Sequence, residues 1–194
     1  MNDPDTTLLD ALRAGDDAAF ASLVSKYHQR LLRFAESMVP NRAVAEEVVQ
    51  DTWLGVVRGI DRFEGRSTVK TWLFHILANR ARSAGAREAR SVPLGDPLDG
   101  RFTAAGEWSR PPEPWSDAVD SRVVADELAS RIKRCLPQLP AGQRQVLVLR
   151  DIEGLEPAEV CALLGISAGN QRVRLHRART QVRRFLAAAG GFTD

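Results

Sequence analysis

The chain has 194 residues, 44% hydrophobic and 27% charged, with a net charge of +2. That balance excludes a disordered charged tail and supplies enough apolar material for one ordinary domain or two small ones. No stretch reaches the roughly 18 uninterrupted apolar residues of a membrane span, and the acidic start MNDPDTTLLDALRAGDD lacks a secretory pattern. A cytoplasmic protein without membrane insertion is expected.

Helical patterning dominates from residue 5 to 90. Gly15 closes a short first helix. Phe20, Leu23, Val24, Tyr27, Leu31, Phe34, Ala35 and Met38 then recur at three and four, with Asp16 or Asp17 to cap them. Pro40 and Asn41 break the pattern, and Asn41 can cap a helix whose inward set is Ala45, Val48, Val49, Thr52 and Val56. After Phe63-Glu64-Gly65-Arg66, Ser67 is the expected cap of a helix running to about Ser83. On it, Thr71, His75, Asn79 and Arg82 share one face, and Val69, Leu73, Ile76 and Leu77 cover much of the other. Trp72 and Phe74 are each expected in the core when taken alone, although either could stack on an unpaired base.

Residues 91–117 contain five prolines and three glycines without a helical period, which reads as a solvated, extended linker. Helical pattern resumes near Ala118, with Val124, Leu128, Ile132 and Leu136 at spacings of four, and LPQLP ends it. A second helix is expected from Ala141 to Asp151, stopped by Glu153-Gly154. Pro157 suits the first turn of a third, ending at Leu164. Gly165 fits a left-handed terminator, and Ser167 caps a fourth helix from Ala168 to about Ala188. No segment alternates with period two. The expected fold is therefore all-α, with two small helical domains, 1–90 and 118–194, joined by a proline-rich acidic linker.

Charge is partitioned along this frame. Arg80, Arg82, Arg87 and Arg90 face Glu88 alone between positions 76 and 90, and residues 91–130 hold eight acids against three arginines. Past Ala162, every charged side chain up to Thr193 is arginine. A short helix, a glycine turn and a longer helix form the helix-turn-helix pattern, whose second helix enters the major groove N-terminus first. Its arginines repel one another, and a polyanion relieves that repulsion while releasing counterions. Asn170 and Gln171 can each hydrogen-bond adenine twice, and Arg172 and Arg174 sit early enough to reach bases or phosphates.

An enzyme is not expected. His28, His75 and His176 are scattered and no phosphate-cradling loop appears. Cys135 and Cys161 have no metal-ligand spacing and are expected as buried or half-buried thiols. Neither cofactor nor metal is called for.

The segments AEEVVQDTW, FEGRSTVKTWLFHILANRAR and LPAGQRQVLVLRDIEGLEPAEVCALLGIS with its arginine-rich helix together resemble the small sigma factors of the extracytoplasmic-function group. The resemblance runs from about Ala19 to Leu186. It implies a factor that directs bacterial core RNA polymerase to a promoter and is itself no enzyme. Its partners would be core polymerase, promoter DNA and, as commonly in that family, an anti-sigma factor. By that resemblance, Glu47, Gln50, Asp51 and Trp53 dock on the polymerase. Residues Phe63 to Lys70 form the loop that captures a flipped base. Phe63, Lys70, Trp72, Asn79, Arg80 and Arg82 serve minus 10 recognition and melting. Ser167, Asn170, Gln171, Arg172, Arg174 and Arg177 serve the minus 35 element, and the linker threads toward the polymerase active-site cleft. Many relatives carry valine where this chain has Gln171, and the sequence leaves open whether that amide points inward or toward bases.

Overall fold

The computed structural model describes residues 4–88, 131–132 and 134–188. The expected linker at 91–117 and the helix start at Ala118 lie outside them. Helices α1 (Pro4–Arg13), α2 (Asp17–Ala35), α3 (Arg42–Gly59) and α4 (Val69–Glu88) form the N-terminal unit. A 3-10 turn, Leu136–Gln138, leads into the C-terminal helices α5 (Ala141–Leu147), α6 (Pro157–Leu164) and α7 (Ala168–Ala188). No strand occurs among the described residues.

The helix ends follow local chemistry. The Asp16 carboxylate accepts from Ala18 N and Ala19 N, and the Asn41 side chain accepts from Val44 N. Each supplies one of the acceptors that a first helical turn lacks. The cap of α4 differs from the expected one. Thr68 Oγ1 accepts from Thr71 N at 3.1 Å, whereas Ser67 Oγ donates to the Thr68 carbonyl. Thr68 stands three residues before the N–H it satisfies, the reach of a cap, and Ser67 stands four. The helix also continues past Ser83 to Glu88.

The α2, α3 and α4 core is aliphatic with one aromatic pair. Phe34 and Phe74 tilt together at 5.5 Å, surrounded by the buried Leu23, Leu31, Val49, Val56, Leu73 and Leu77. Each such side chain contributes about 1.5–3 kcal/mol by leaving water. Thr52 is buried among them because its hydroxyl donates to the Val48 carbonyl at 2.7 Å, so no polar group is left unpaired. In the C-terminal unit, Val146, Leu149, Leu155, Val160, Leu163 and Ala178 are buried and belong to the same apolar cluster. Cys135 is buried and Cys161 half-buried, both free.

The helix expected to run to Asp151 widens instead at Val148–Ile152 into a π-helical turn. Glu153 N then donates back to Val148 O, and Gly154 takes φ 65°, a left-handed conformation that glycine adopts without a Cβ clash. This reversal turns the Glu153 side chain out of its own helix and against the N-terminal unit. Among the described residues no helix is long and apolar enough to cross a membrane.

Candidate nucleic-acid interface

The helix-turn-helix is built by three local devices. Pro157 occupies the first turn of α6, where its missing N–H costs nothing, and Glu159 Oε2 accepts from Glu156 N at 2.8 Å. Gly165 ends α6 at φ 67°, with its own N–H and that of Ile166 both donating to Cys161 O. Ser167 Oγ then accepts from Asn170 N at 3.2 Å and starts α7.

Ser167, just before α7, and Arg172 on it are exposed, and Asn170, Arg174 and Arg177 are half-buried. Gln171 is not among the reading side chains. It is 3% exposed and packs into the core, so the open question of its orientation resolves inward and its expected base contact is corrected. Arg174 also departs from a simple reader. Its guanidinium lies over Gly142 of α5, where a Cβ would come within 2.6 Å of Nη1. Later on the helix, Arg179 grips Asp151 through two hydrogen bonds of 2.8 and 2.7 Å. His176 is held below its ordinary pKa by burial, then by the neighbouring Arg183 and Arg179.

The α4 candidates separate into three groups. Phe63 is buried and stacks on half-buried Trp72 at 4.6 Å, forming a rigid aromatic wall beside the exposed loop 64–68. Asn79 and Arg80 are exposed, and Arg82 is held to the Asn79 side chain. Lys70, Thr71 and Arg82, however, all donate across to the C-terminal unit. Lys70 Nζ reaches Glu153 O at 2.8 Å, Thr71 Oγ1 reaches Glu159 Oε1 at 2.8 Å, and Arg82 Nη1 reaches Leu163 O at 2.9 Å. His75 lies on the same face, its pKa lowered by burial and by Arg82 and raised to a lesser extent by Glu159.

On α3, Glu47, Gln50 and Asp51 are exposed along one stripe. Trp53 is not part of it. At 9% exposure it packs edge-on against Phe20 at 5.9 Å, and its Nε1 meets His28 Nδ1 at 3.3 Å, so it braces α3 against α2 rather than offering itself to a partner. The stripe is completed by two residues the sequence reading missed, Leu54 and Val57, exposed at 52% and 57%. Their signal was present: both are apolar and both fall outside the inward set of α3. Val57 also walls a groove with Leu12, Phe20, Val56 and Ile60.

Comparison with known proteins finds a match in each of the two helical units. Residues 23–91 match Sigma-70 region 2, and residues 129–182 match Sigma-70, region 4. The chain is 28% identical over 182 residues to the ECF RNA polymerase sigma-E factor of Escherichia coli strain K12, covering 92% of each. It is 27% identical over 184 residues to the RNA polymerase sigma-H factor of Pseudomonas aeruginosa, covering 94% of this chain and 93% of that one. Among solved structures it resembles CnrH in complex with the cytosolic domain of CnrY, with TM-score 0.57 and 27% identity, covering 96% of this chain and 99% of that one. It also resembles the sigma factor RpoE in complex with the anti-sigma factor NepR from Bartonella quintana, with TM-score 0.51 and 27% identity, covering 86% and 97%.

Proposed function

Because the chain belongs to the sigma-70 family, in its extracytoplasmic-function group, and is a non-enzymatic sigma factor that directs core RNA polymerase to promoters, we propose how its surfaces divide that work. Residues 1–90 form the domain that docks on polymerase and melts the minus 10 element. Residues 118–194 form the domain that reads the minus 35 element, and 91–117 tether the two. Tethering makes the second contact intramolecular and raises its effective concentration on one promoter.

The observation that carries this reading is the capped turn at Gly165 and Ser167, which leaves Arg172 exposed on the first turns of an acid-free helix. There Asn170 and Arg172 contact the minus 35 element, while Arg177 holds backbone. The exposed α3 stripe of Glu47, Gln50, Asp51, Leu54 and Val57 is the polymerase face. Asn79, Arg80 and Arg82, with Lys70 and the Phe63–Trp72 wall, serve the melted minus 10 strand. The flipped base enters beside loop 64–68, where pocket contacts and stacking offset an unstacking cost of a few kcal/mol. One solved relative is bound to the anti-sigma factor NepR and another to the cytosolic domain of CnrY, and we assign this chain an anti-sigma partner and a place in the cytoplasm.

In vitro transcription with core polymerase over a genomic promoter pool, with sequencing of transcript starts, tests the assignment. Starts sharing one upstream motif are expected. Random starts, or a sequence-specific footprint without polymerase, would replace it with an ordinary duplex-binding repressor.

A further inference from the structure

The first turn of α5 holds a glycine that the backbone does not require. Gly142 is helical, and the glycines with left-handed φ among the described residues are Gly15, Gly65, Gly154 and Gly165. Within a helix, glycine loses more conformational freedom on folding than alanine does and is the weaker choice. What Gly142 supplies is space. A Cβ at that position would stand 2.6 Å from Nη1 of Arg174, 3.1 Å from Cζ and 3.5 Å from Nε, so this guanidinium occupies the volume that any other side chain would begin to fill.

The place of Arg174 on α7 explains why it needs that volume. Gln171, Leu175, Ala178 and Val182 are the buried stripe of the helix. Arg174 stands three residues after Gln171 and four before Ala178, which sets it on the flank of the stripe, half-buried and with α5 beside it. A long cation in such a place lays its stem along the neighbouring helix and brings its head to the surface. Arg172, two residues earlier, is turned from it by about 200° and is exposed. The two arginines leave α7 in different directions and do not converge on one base edge.

Arg174 spends none of its donors inside the chain. No hydrogen bond or ion pair holds its guanidinium among the described residues, in contrast to Arg179, which is closed on Asp151. A seated guanidinium with unspent N–H groups is a planar fork for oxygens that come from outside, and a phosphate offers them.

We propose that Gly142 is a positioning residue for promoter binding: its bare backbone seats the Arg174 guanidinium against α5, and from that seat Arg174 grips a phosphate of the minus 35 duplex and reads no base. The proposal rests on the assignment of α7 to that element. A phosphate contact fixes register without carrying sequence, so Gly142 and Arg174 set how tightly the helix is held, while Asn170 and Arg172 set what it reads.

The test uses the full chain assembled with core polymerase on a promoter duplex, with affinity measured across a salt series and a parallel selection on a randomised minus 35 element. Gly142→Ala should melt no lower than wild type, because alanine favours the helix. It should nevertheless bind the promoter roughly fivefold more weakly, lower the salt slope by about one and select an unchanged motif, the marks of one lost phosphate contact. Arg174→Ala should show the same binding changes, and adding Gly142→Ala to it should cost nothing further. Arg174→Lys examines the seat itself. An ammonium on a flexible stem passes round a methyl group where a planar guanidinium does not, so Gly142→Ala should lose less than about twofold in that background. Wild-type binding in Gly142→Ala overturns the seat, as does an additive loss in the double variant. An altered motif or an unchanged salt slope in Arg174→Ala overturns the phosphate contact, whatever Gly142→Ala does to folding. Arg172→Ala is the control for α7: if it leaves initiation intact, the minus 35 assignment fails and the proposal with it.

Discussion

Arg179 and Asp151 form a two-toothed pair, Nε to Oδ2 at 2.8 Å and Nη2 to Oδ1 at 2.7 Å, which ties the middle of α7 to the π-helical turn ahead of Glu153. The planar guanidinium matches the carboxylate, so the pair fixes the angle between reading helix and turn as well as adding energy. Because both side chains are partly exposed, Asp151→Asn should cost only about 0.5 kcal/mol. A thermal melt of the full chain measures this, and the loss should shrink as salt screens the wild-type pair. A cost several times larger, insensitive to salt, would mean that Asp151 supports the π turn in some other way.

The proposed polymerase face makes a sharper distinction. Leu54 and Val57 are exposed apolar side chains on the same stripe as Glu47, Gln50 and Asp51, so removing them should harm association and not folding. Leu54→Ser and Asp51→Arg are each expected to weaken core polymerase binding about tenfold or more, the scale of an interface anchor worth over about 1.4 kcal/mol. Melting temperature should stay within a degree or two. Trp53→Ala should behave in the opposite order. Its ring is packed against Phe20 and His28, so unfolding should lead, by about 3 kcal/mol. Equal polymerase affinity in Leu54→Ser and wild type would move the docking face elsewhere.

These cases show what the sequence disclosed. Element type and order were legible because the apolar residues of α2 and α3 repeat at three and four and because Asn41, Gly165 and Ser167 have unambiguous end chemistry. The exchange of Ser67 for Thr68 as cap was not, since two hydroxyl residues in succession offer the same chemistry and tertiary packing chooses between them. Trp53 was misplaced because a motif position says nothing of burial. The π turn was illegible for a different reason. An α-helical period and a π turn differ by one residue, and the partners of that turn, α2 for Glu153 and α7 for Asp151, are distant in sequence.

On the reading helix, burial separates residues that the sequence treated alike. Arg172→Ala should lower promoter-dependent initiation by about 1–3 kcal/mol of discrimination if it reaches a base. If it reaches a phosphate, the salt slope of binding should fall by about one with affinity lost evenly across sequences. Gln171→Leu should leave the minus 35 preference unchanged and the fold no less stable, because the side chain is already inside and an apolar group of similar shape needs no hydrogen bond. A selection experiment on a randomised upstream element distinguishes them. A changed motif in Gln171→Leu would show that the amide turns outward on DNA.

The acid side of neutrality should also loosen the chain. Burial and Arg82 lower the pKa of His75, and burial, Arg183 and Arg179 lower that of His176, so the folded state binds fewer protons than the unfolded chain once pH falls below the ordinary histidine value of about 6.5. Both groups are neutral in both states well above that value, and stability there is at its full level. As pH falls through 6.5 the unfolded chain protonates first, and stability declines until the folded-state values are passed. His75 faces Arg82 on its own helix and Glu159 on α6, so part of the decline should appear at the domain contact. Urea melts at pH 7.5 and 5.5 should give a lower midpoint at 5.5, and His75→Gln should flatten that difference by removing one of the two groups. The same variant should narrow the pH dependence of Lys70 acetylation, because Lys70 is held by the same contact through Glu153. A midpoint that rises on acidification would reverse the sign and require a histidine stabilised in its charged form, which the arginines around both side chains oppose.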